Sequence, residues 1–419
     1  MGLKPESTLQ QTTNTLSELG LNETRSVSRV ALLGRDYRGI NFELLCEEGD
    51  RVAAGSALMR DARRPSIVFT SPGAGSVARI ERGLRRKLVS LQINLDETAD
   101  TTRYTPPETR DKPSLRAFML ESGAWTALRT RPFGNIPNPD GEPAAIFITA
   151  MESEPLAPAA LPIINSFAAE FSAGVNALAE ISAATLYVCH SRGCSLPVDE
   201  SMKLRCVPFG EGHSAGLPGV HINALCPIGF GGGEVWHIGY QDVISLGHLL
   251  LHGSAWLERV ITIAGPAIQV PGMFRVPQGA SISDLLETES YPGPVRVISG
   301  SALRGQTVRG GEAYLGVRQN QITVLPETGT DSQADRAATS SVLIPSDELE
   351  ALAPPGIYPV PLMRALQVGD VDRARELGAL ELVEEDLALL SYVCLSKCDY
   401  GLLLRNVLNQ LEGANPHIA

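Results

Sequence analysis

Four short stretches bring reactive side chains close together in the chain. The richest is Gly210-Glu211-Gly212-His213-Ser214-Ala215-Gly216-Leu217-Pro218-Gly219-Val220-His221. Glycines let a backbone approach a ligand closely, and an imidazole at His213 or His221 can donate to a ligand oxygen. The other reading is a Gly-rich connection with satisfied surface histidines. Gly123-Ala124-Trp125-Thr126-Ala127-Leu128-Arg129-Thr130-Arg131-Pro132-Phe133 sets two arginines beside two aromatics. Such a segment can hold a planar or anionic group by stacking and forked donors, or it can be a loop pinned to a sheet by Trp125 and Phe133. His248-Leu249-Leu250-Leu251-His252 places two imidazoles one helical turn apart, but without an H-E-x-x-H glutamate or a clear third ligand, so no metal is expected there. Cys394-Leu395-Ser396-Lys397-Cys398 offers two thiolates where an iron–sulfur cluster wants four, so structural cysteines are expected. Phe230-Gly231-Gly232-Gly233 lacks the spacing that cradles a pyrophosphate, and no complete dinucleotide fingerprint occurs in the chain. With no Ser–His–Asp set, nucleophile elbow or spaced acid pair, no catalytic residue is assigned.

The elements that must position these residues change character along the chain. Residues 1–26 read as a polar arm. Residues 27–100 read as short strands with Gly/Pro turns, in the order E-G-D-x-V-x-x-G from Glu48 and then P-x-x-G-x-V from Pro72. That order resembles the biotinyl/lipoyl-type barrel-sandwich hybrid. In carrier proteins of that type a modifiable Lys sits on the hairpin between the two turns. Here the hairpin reads Arg60-Asp61-Ala62-Arg63-Arg64-Pro65, so the module is expected to be an unmodified scaffold. After a Pro-rich linker, residues 114–271 alternate strands and helices, as in an α/β domain with a largely parallel sheet. Ala144 to Ala150 reads as a buried parallel strand. Residues 272–326 give a β-grasp pattern with a helix starting at a Ser cap. Residues 327–358 read as a linker and 359–419 as a helical domain.

Composition narrows the function classes. The chain has 419 residues, 43% hydrophobic and 20% charged, with a net charge of −12. A net acidic chain argues against nucleic-acid binding, which neutralises phosphates, and against binding an anionic lipid surface by charge alone. Aromatics at 5% supply no stacking platform for single-stranded bases. The longest uncharged run, Gly212 to Gly233, holds seven glycines and two prolines, so no membrane-spanning helix is expected. The polar N-terminus shows no apolar region of a secretory signal. Seven widely spread cysteines fit a reducing compartment rather than a disulfide framework.

Several strings together resemble the A subunit of the Na+-translocating NADH:quinone oxidoreductases. They are Gly123 to Phe133, Tyr240-Gln241-Asp242-Val243, Arg296 to Ser301, Tyr314-Leu315-Gly316 with Asn320-Gln321-Ile322, and Glu384 to Leu389 with Val393-Cys394 and Leu403-Leu404-Arg405. The resemblance spans about Val30 to Gly413 in order. It implies an α/β multidomain architecture: a barrel-sandwich hybrid, a Rossmann-like α/β domain, a soluble-ligand-binding β-grasp domain and C-terminal helices. The family is related to the C subunit of Rnf-type complexes and to the NADH-binding subunit of complex I. Where those relatives have a Gly-rich flavin loop, this chain carries Trp125, Leu128 and Arg129, whose side chains would fill the space near a pyrophosphate. The resemblance therefore implies a chain without its own redox cofactor, with FMN, riboflavin, FAD and iron–sulfur centres in partner subunits. It implies a peripheral place on the cytoplasmic face of the bacterial inner membrane and ubiquinone as ligand, reduced to ubiquinol with Na+ export. The quinone-proximal candidates it implies are Leu33, Tyr37, Trp125, Arg129, Arg131, Phe133 and His213. The family's N-terminal opening is absent, its His-Pro-Ala-Gly is His213-Ser214-Ala215-Gly216 here, and the second linker is short. Those departures motivate an alternative: a non-catalytic scaffold or ligand-binding paralogue docked to another redox complex.

Overall fold

The computed structural model describes residues 23–96, 98, 100–229, 233–327, 343–396 and 398–414. Most of the expected polar arm, the middle of the second linker and the Phe230–Gly232 run lie outside them.

The N-terminal part folds as two small sheets. Strands β1 (Arg29–Leu33), β2 (Phe42–Leu44), β3 (Arg51–Val52), β4 (Ala57–Asp61), β5 (Val68–Thr70), β6 (Gly75–Arg82) and β7 (Leu88–Leu95) follow in sequence. They form an antiparallel sheet β1-β7-β6-β3 and a second one, β2-β4-β5. Because side chains alternate across a strand, Val30 and Leu32 of β1 join the core with Met59, Phe69 and Ile93, while Ala31 and Leu33 face Tyr314 of a later domain. The β4–β5 hairpin, where a carrier protein would present its modified lysine, is a domain contact here. Buried Asp61 pairs with Arg64 Nε at 2.9 Å, and Arg64 Nη1 donates to Ile136 O at 2.9 Å.

Helix α1 (Lys112–Glu121) starts at Asp111, whose carboxylate accepts from Ser114 N, with Pro113 in the first turn. Strands β8 (Arg129–Arg131), β9 (Ala145–Ala150), β10 (Thr185–Ser191), β11 (Leu204–Phe209) and β12 (Val235–Gly239) then build a mixed sheet in the order β11-β10-β9-β12-β8. All pairings in it are parallel except β12 with β8. Every residue of β9 is buried, because both faces of the sheet are covered. Helices α2 (Ala160–Ser166) and α3 (Ala168–Glu180) lie on one face, α4 (Pro218–Leu225) on the other, and α5 (Tyr240–His252) returns to the first. Thus Ile146 and Ile148 pack with Phe171 and Val243, whereas Ala145 and Phe147 pack with Ile222 and the C-terminal helices.

Strands β13 (Glu258–Ala264), β14 (Gly272–Pro277), β15 (Val295–Ser299), β16 (Gln306–Thr307) and β17 (Gln321–Pro326) form a third sheet, β14-β13-β17-β15-β16. Its short helix α6 (Ile282–Leu285) is capped by Ser281, whose hydroxyl accepts from Asp284 N. Residues just before β1 belong to this unit: Arg25 pairs with Glu289 and lies over the Phe274 ring. Helices α7 (Asp347–Leu352), α8 (Pro359–Val368), α9 (Val371–Glu376), α10 (Ala388–Val393) and α11 (Tyr400–Ala414) complete the chain. They bury Leu349, Leu366, Leu390 and Leu404 against the second face of the α/β sheet. Leu349 lies within residues 327–358, so part of that segment is packed helix.

Candidate functional site

In the mixed sheet, β10 and β11 lie to one side of β9 and β12 to the other, so the order switches between β9 and β12. A ligand in such a sheet binds outside the carboxyl ends of the strands at that switch. Here the switch opens into a polar crevice lined by Thr149, Glu152, Glu154, His237, Tyr240, Arg304, Arg318 and Glu385. Arg129, Asp242 and Arg318 are shared with a second cleft between the N-terminal sheets, α5 and the third domain. That second cleft is lined by Leu33, Tyr37, Phe69, Leu246, Leu249, Trp256 and Leu315. Polar side chains line it as well, among them Asp36, Asp242, Arg129 and Arg318, so it is a mixed cleft with an apolar wall.

Each cleft has its own electrostatics. Arg129 is buried and donates to the carbonyls of Thr126 and Leu128 at 2.5 and 2.7 Å. Burial, and then the charge of Arg318, pull its pKa down to about 9, so it still carries its charge at neutral pH. Arg318 is exposed and makes no hydrogen bond or ion pair to a described residue. Asp36, pushed above the usual carboxylate range by burial, accepts from Val317 N at 2.9 Å and so ties the third domain to the slot. The Tyr37 ring packs edge-on to Phe69 at 4.6 Å. Burial raises the phenol's pKa, so it stays protonated, and its hydroxyl has no hydrogen-bond partner among the described residues.

The switch-point crevice is held by a chain of partly to fully buried ion pairs. Glu385 accepts from Arg131 Nη2 at 2.9 Å and from Arg304 Nη1 at 2.9 Å, and Arg304 Nε meets Glu154 at 2.5 Å. Burial alone would raise the pKa of Glu385, but Arg304 and Arg131 hold it well below the usual carboxylate range. Its neighbour Asp386 is pushed up to about 6 by burial, although it accepts from Val383 N and lies 3.4 Å from Arg131. Arg131 Nη1 lies 2.7 Å from His237 Nε2. A guanidinium only donates, so His237 Nε2 is the acceptor, and burial and Arg131 keep that imidazole neutral. Three domains therefore meet at one carboxylate.

The structure brings Leu33, Tyr37 and Arg129 into one cleft and leaves the other four candidates elsewhere. Trp125 is fully buried, edge-on to Trp236 at 5.3 Å, and its Nε1 donates to Pro137 O. Arg131 is the ion-pair hub just described. Phe133 lies in the core shared with the C-terminal helices, and its carbonyl accepts from Arg38 and Arg405. His213 is half-buried beside Ser153, its Nδ1 3.1 Å from Ser153 O and its Nε2 without a partner. Of the other motifs, Cys394 is buried with its Sγ 3.0 Å from Ser396 Oγ. His221 is buried, with Nε2 2.7 Å from Ala215 O. Sequence reasoning did not assign Arg304, Arg318, His237 or Glu385. The one available signal was the acidic trio Glu384-Glu385-Asp386 ahead of an apolar helix, because acids at a helix start seek cations.

Comparison with known proteins agrees with the motif reading. Residues 13–96 match the model of the NqrA N-terminal barrel-sandwich hybrid domain, 110–255 that of the NqrA second alpha/beta domain, and 260–310 that of the NQRA C-terminal domain. The A subunit of the Na(+)-translocating NADH-quinone reductase of Pseudomonas aeruginosa (strain UCBPP-PA14) is 39% identical over 94% of this chain and 96% of its own. Its counterparts of the same name from Vibrio atlanticus and Klebsiella pneumoniae (strain 342) are 37% and 38% identical over 94% and 92% of this chain, and 95% and 94% of theirs. A NAD+-reducing [NiFe]-hydrogenase in the air-oxidized state aligns with 74% of this chain and 62% of its own at 14% identity and a TM-score of 0.42, too far away to bear on function. The match in sequence, domain order and length is decisive: this chain belongs to the NqrA family, the A subunits of the Na(+)-translocating NADH-quinone reductases.

Proposed function

We propose that the chain is the peripheral, cytoplasmic subunit of a membrane-bound Na+-translocating NADH:quinone reductase, and that it contributes a binding slot for the ubiquinone head group. No helix among the described residues is long and apolar enough to cross a membrane, which fits attachment through partner subunits. In this reading the flavins and iron–sulfur centres lie in those partners. The mixed α/β sheet is read as Rossmann-like on its parallel order and switch point, and the third domain as a β-grasp.

The observation that carries the quinone reading is the slot that joins Leu33, Tyr37 and Arg129. Its apolar wall suits a substituted ring. Among the described residues, neither the protonated Tyr37 hydroxyl nor the Arg318 guanidinium has a hydrogen-bond partner, and both line the cleft, free to meet carbonyl oxygens. Reduction to quinol takes two electrons and two protons, and fixed donors stabilise the negative charge that develops on oxygen before protonation. Arg129 and Arg318 would supply the positive field and Tyr37 a hydrogen bond. Trp125, Arg131 and Phe133 act in this reading by holding the Gly123–Phe133 segment in place, and His213 by holding the rim of the neighbouring crevice.

Trp256 lines the slot, so its fluorescence reports occupancy. Titration of the purified chain with a short-chain ubiquinone should quench it saturably. Arg318→Ala and Tyr37→Phe should each weaken binding about tenfold, the order of one lost hydrogen bond to a charged or polar partner. Unchanged affinity in both variants, or no saturable quench, would remove quinone from this slot.

A further inference from the structure

Helices α3 and α5 cross at unusually short range. A Cβ on Gly247 would stand 1.7 Å from the backbone oxygen of Glu170, and one on Gly174 would stand 2.2 Å from that of Val243. Only glycine permits that approach. It brings Glu170, in the first turn of α3, beside the last two turns of α5, where the His248 and His252 rings lie 4.3 Å apart. The fold thus supplies the third ligand that the sequence did not show.

None of the three side chains makes a hydrogen bond to another described residue. Each can offer one ligand atom such that all three atoms lie within 4.8 Å of one another. His252 Nε2 is 3.8 Å from Glu170 Oε1, too far for a hydrogen bond. His248 Nδ1 is buried without a hydrogen-bond partner among the described residues. His252 is half exposed and opens a path from solvent.

We propose that Glu170, His248 and His252 form a site for one divalent transition-metal ion of the zinc class, clamping α3 to α5. Two imidazoles and one carboxylate are the donor set that zinc accepts, with water in the fourth position of a tetrahedron. Magnesium and calcium prefer oxygen ligands alone. The ligand atoms lie at most 4.8 Å apart, and closing them to the spacing of a tetrahedral shell is within reach of side-chain rotation at a half-exposed helix end. The site also touches the slot described above. His248 packs edge-on to Trp256 at 4.8 Å, as does Phe167 ahead of α3. A bound ion would therefore fix the Trp256 wall.

The test uses the purified full-length chain after removal of metals by a chelator. Titration with zinc should give about one tight equivalent and raise the thermal midpoint. Cobalt(II) should give the intense visible bands of a tetrahedral site without a near-ultraviolet thiolate charge-transfer band. His252→Ala and Glu170→Gln change partly exposed side chains and should leave the fold intact. Each should weaken zinc binding by at least about tenfold, the minimum seen when even an outer-shell partner is lost. Wild-type affinity in both variants, a thiolate band with cobalt, or no tight equivalent in the wild type would each overturn the proposal. These readouts involve no quinone, so they stand or fall independently of the slot.

Discussion

At the scale of single residues, Arg131 shows how one side chain can serve structure rather than ligand. Its side chain is 1% exposed and spans His237, Glu385 and Asp386. Removing one partner of a buried ion network strands the others. Arg131→Ala should therefore lose roughly 3–5 kcal/mol of unfolding free energy in urea titrations, and Arg131→Lys distinctly less. His221 gives a pH signature. Burial lowers its pKa from 6.5 to about 4, against a smaller raising effect of its hydrogen bond to Ala215 O. A neutral buried histidine binds fewer protons folded than unfolded, so stability is full above 6.5 and is lost as pH falls toward about 4. The loss should reach about 3 kcal/mol, because a tenfold change in proton affinity is worth roughly 1.4 kcal/mol. Denaturation at pH 4.5 and 7 should show it, and His221→Phe should flatten the difference, leaving the share of His237, which has the same sign.

At the scale of elements, the α3–α5 crossing depends on the absence of a side chain. Gly247→Ala would drive a methyl group into the backbone of Glu170 and should destabilise by about 1–3 kcal/mol, as overpacking does. Thermal melts against Gly413→Ala, which has nothing within 4 Å, would check it. Local elements were legible in sequence wherever one short-range rule governs them. Ala144 to Ala150, bounded by proline and glutamate, read as a buried strand, and β9 is buried throughout. Ser281 read as a helix cap and accepts from Asp284 N. The site was less legible, because its members meet only through tertiary packing. Leu33, Tyr37 and Arg129 come from two domains. Glu385 lies far along the chain from the Arg131 and Arg304 it joins, and Glu170 reaches His248 only because Gly247 and Gly174 let two helices touch. Spacing along a chain carries no information about such a meeting.

At the scale of the whole molecule, the C-terminal helices are part of the α/β core and not an appendage. They cover Phe147, Val235 and Ile222 and deliver Glu385 to Arg131 and Arg304. A chain truncated after residue 327 should therefore be insoluble or promptly degraded in limited proteolysis, whereas an independent appendage would leave the remainder resistant. The N-terminal sheets are likewise bound on both sides, through Arg64 to Ile136 and through Ala31 N to Gly279 O. Such a body suits a subunit that presents a fixed surface to the other subunits of its complex. The measurement that tests this account most directly is affinity purification of the tagged full-length chain from detergent-solubilised native membranes, with mass spectrometry of what elutes. Flavin-bearing membrane subunits should be recovered together with a ferredoxin-like NADH dehydrogenase subunit. Recovery of the chain alone, or with partners that carry no flavin and no NADH site, would contradict it.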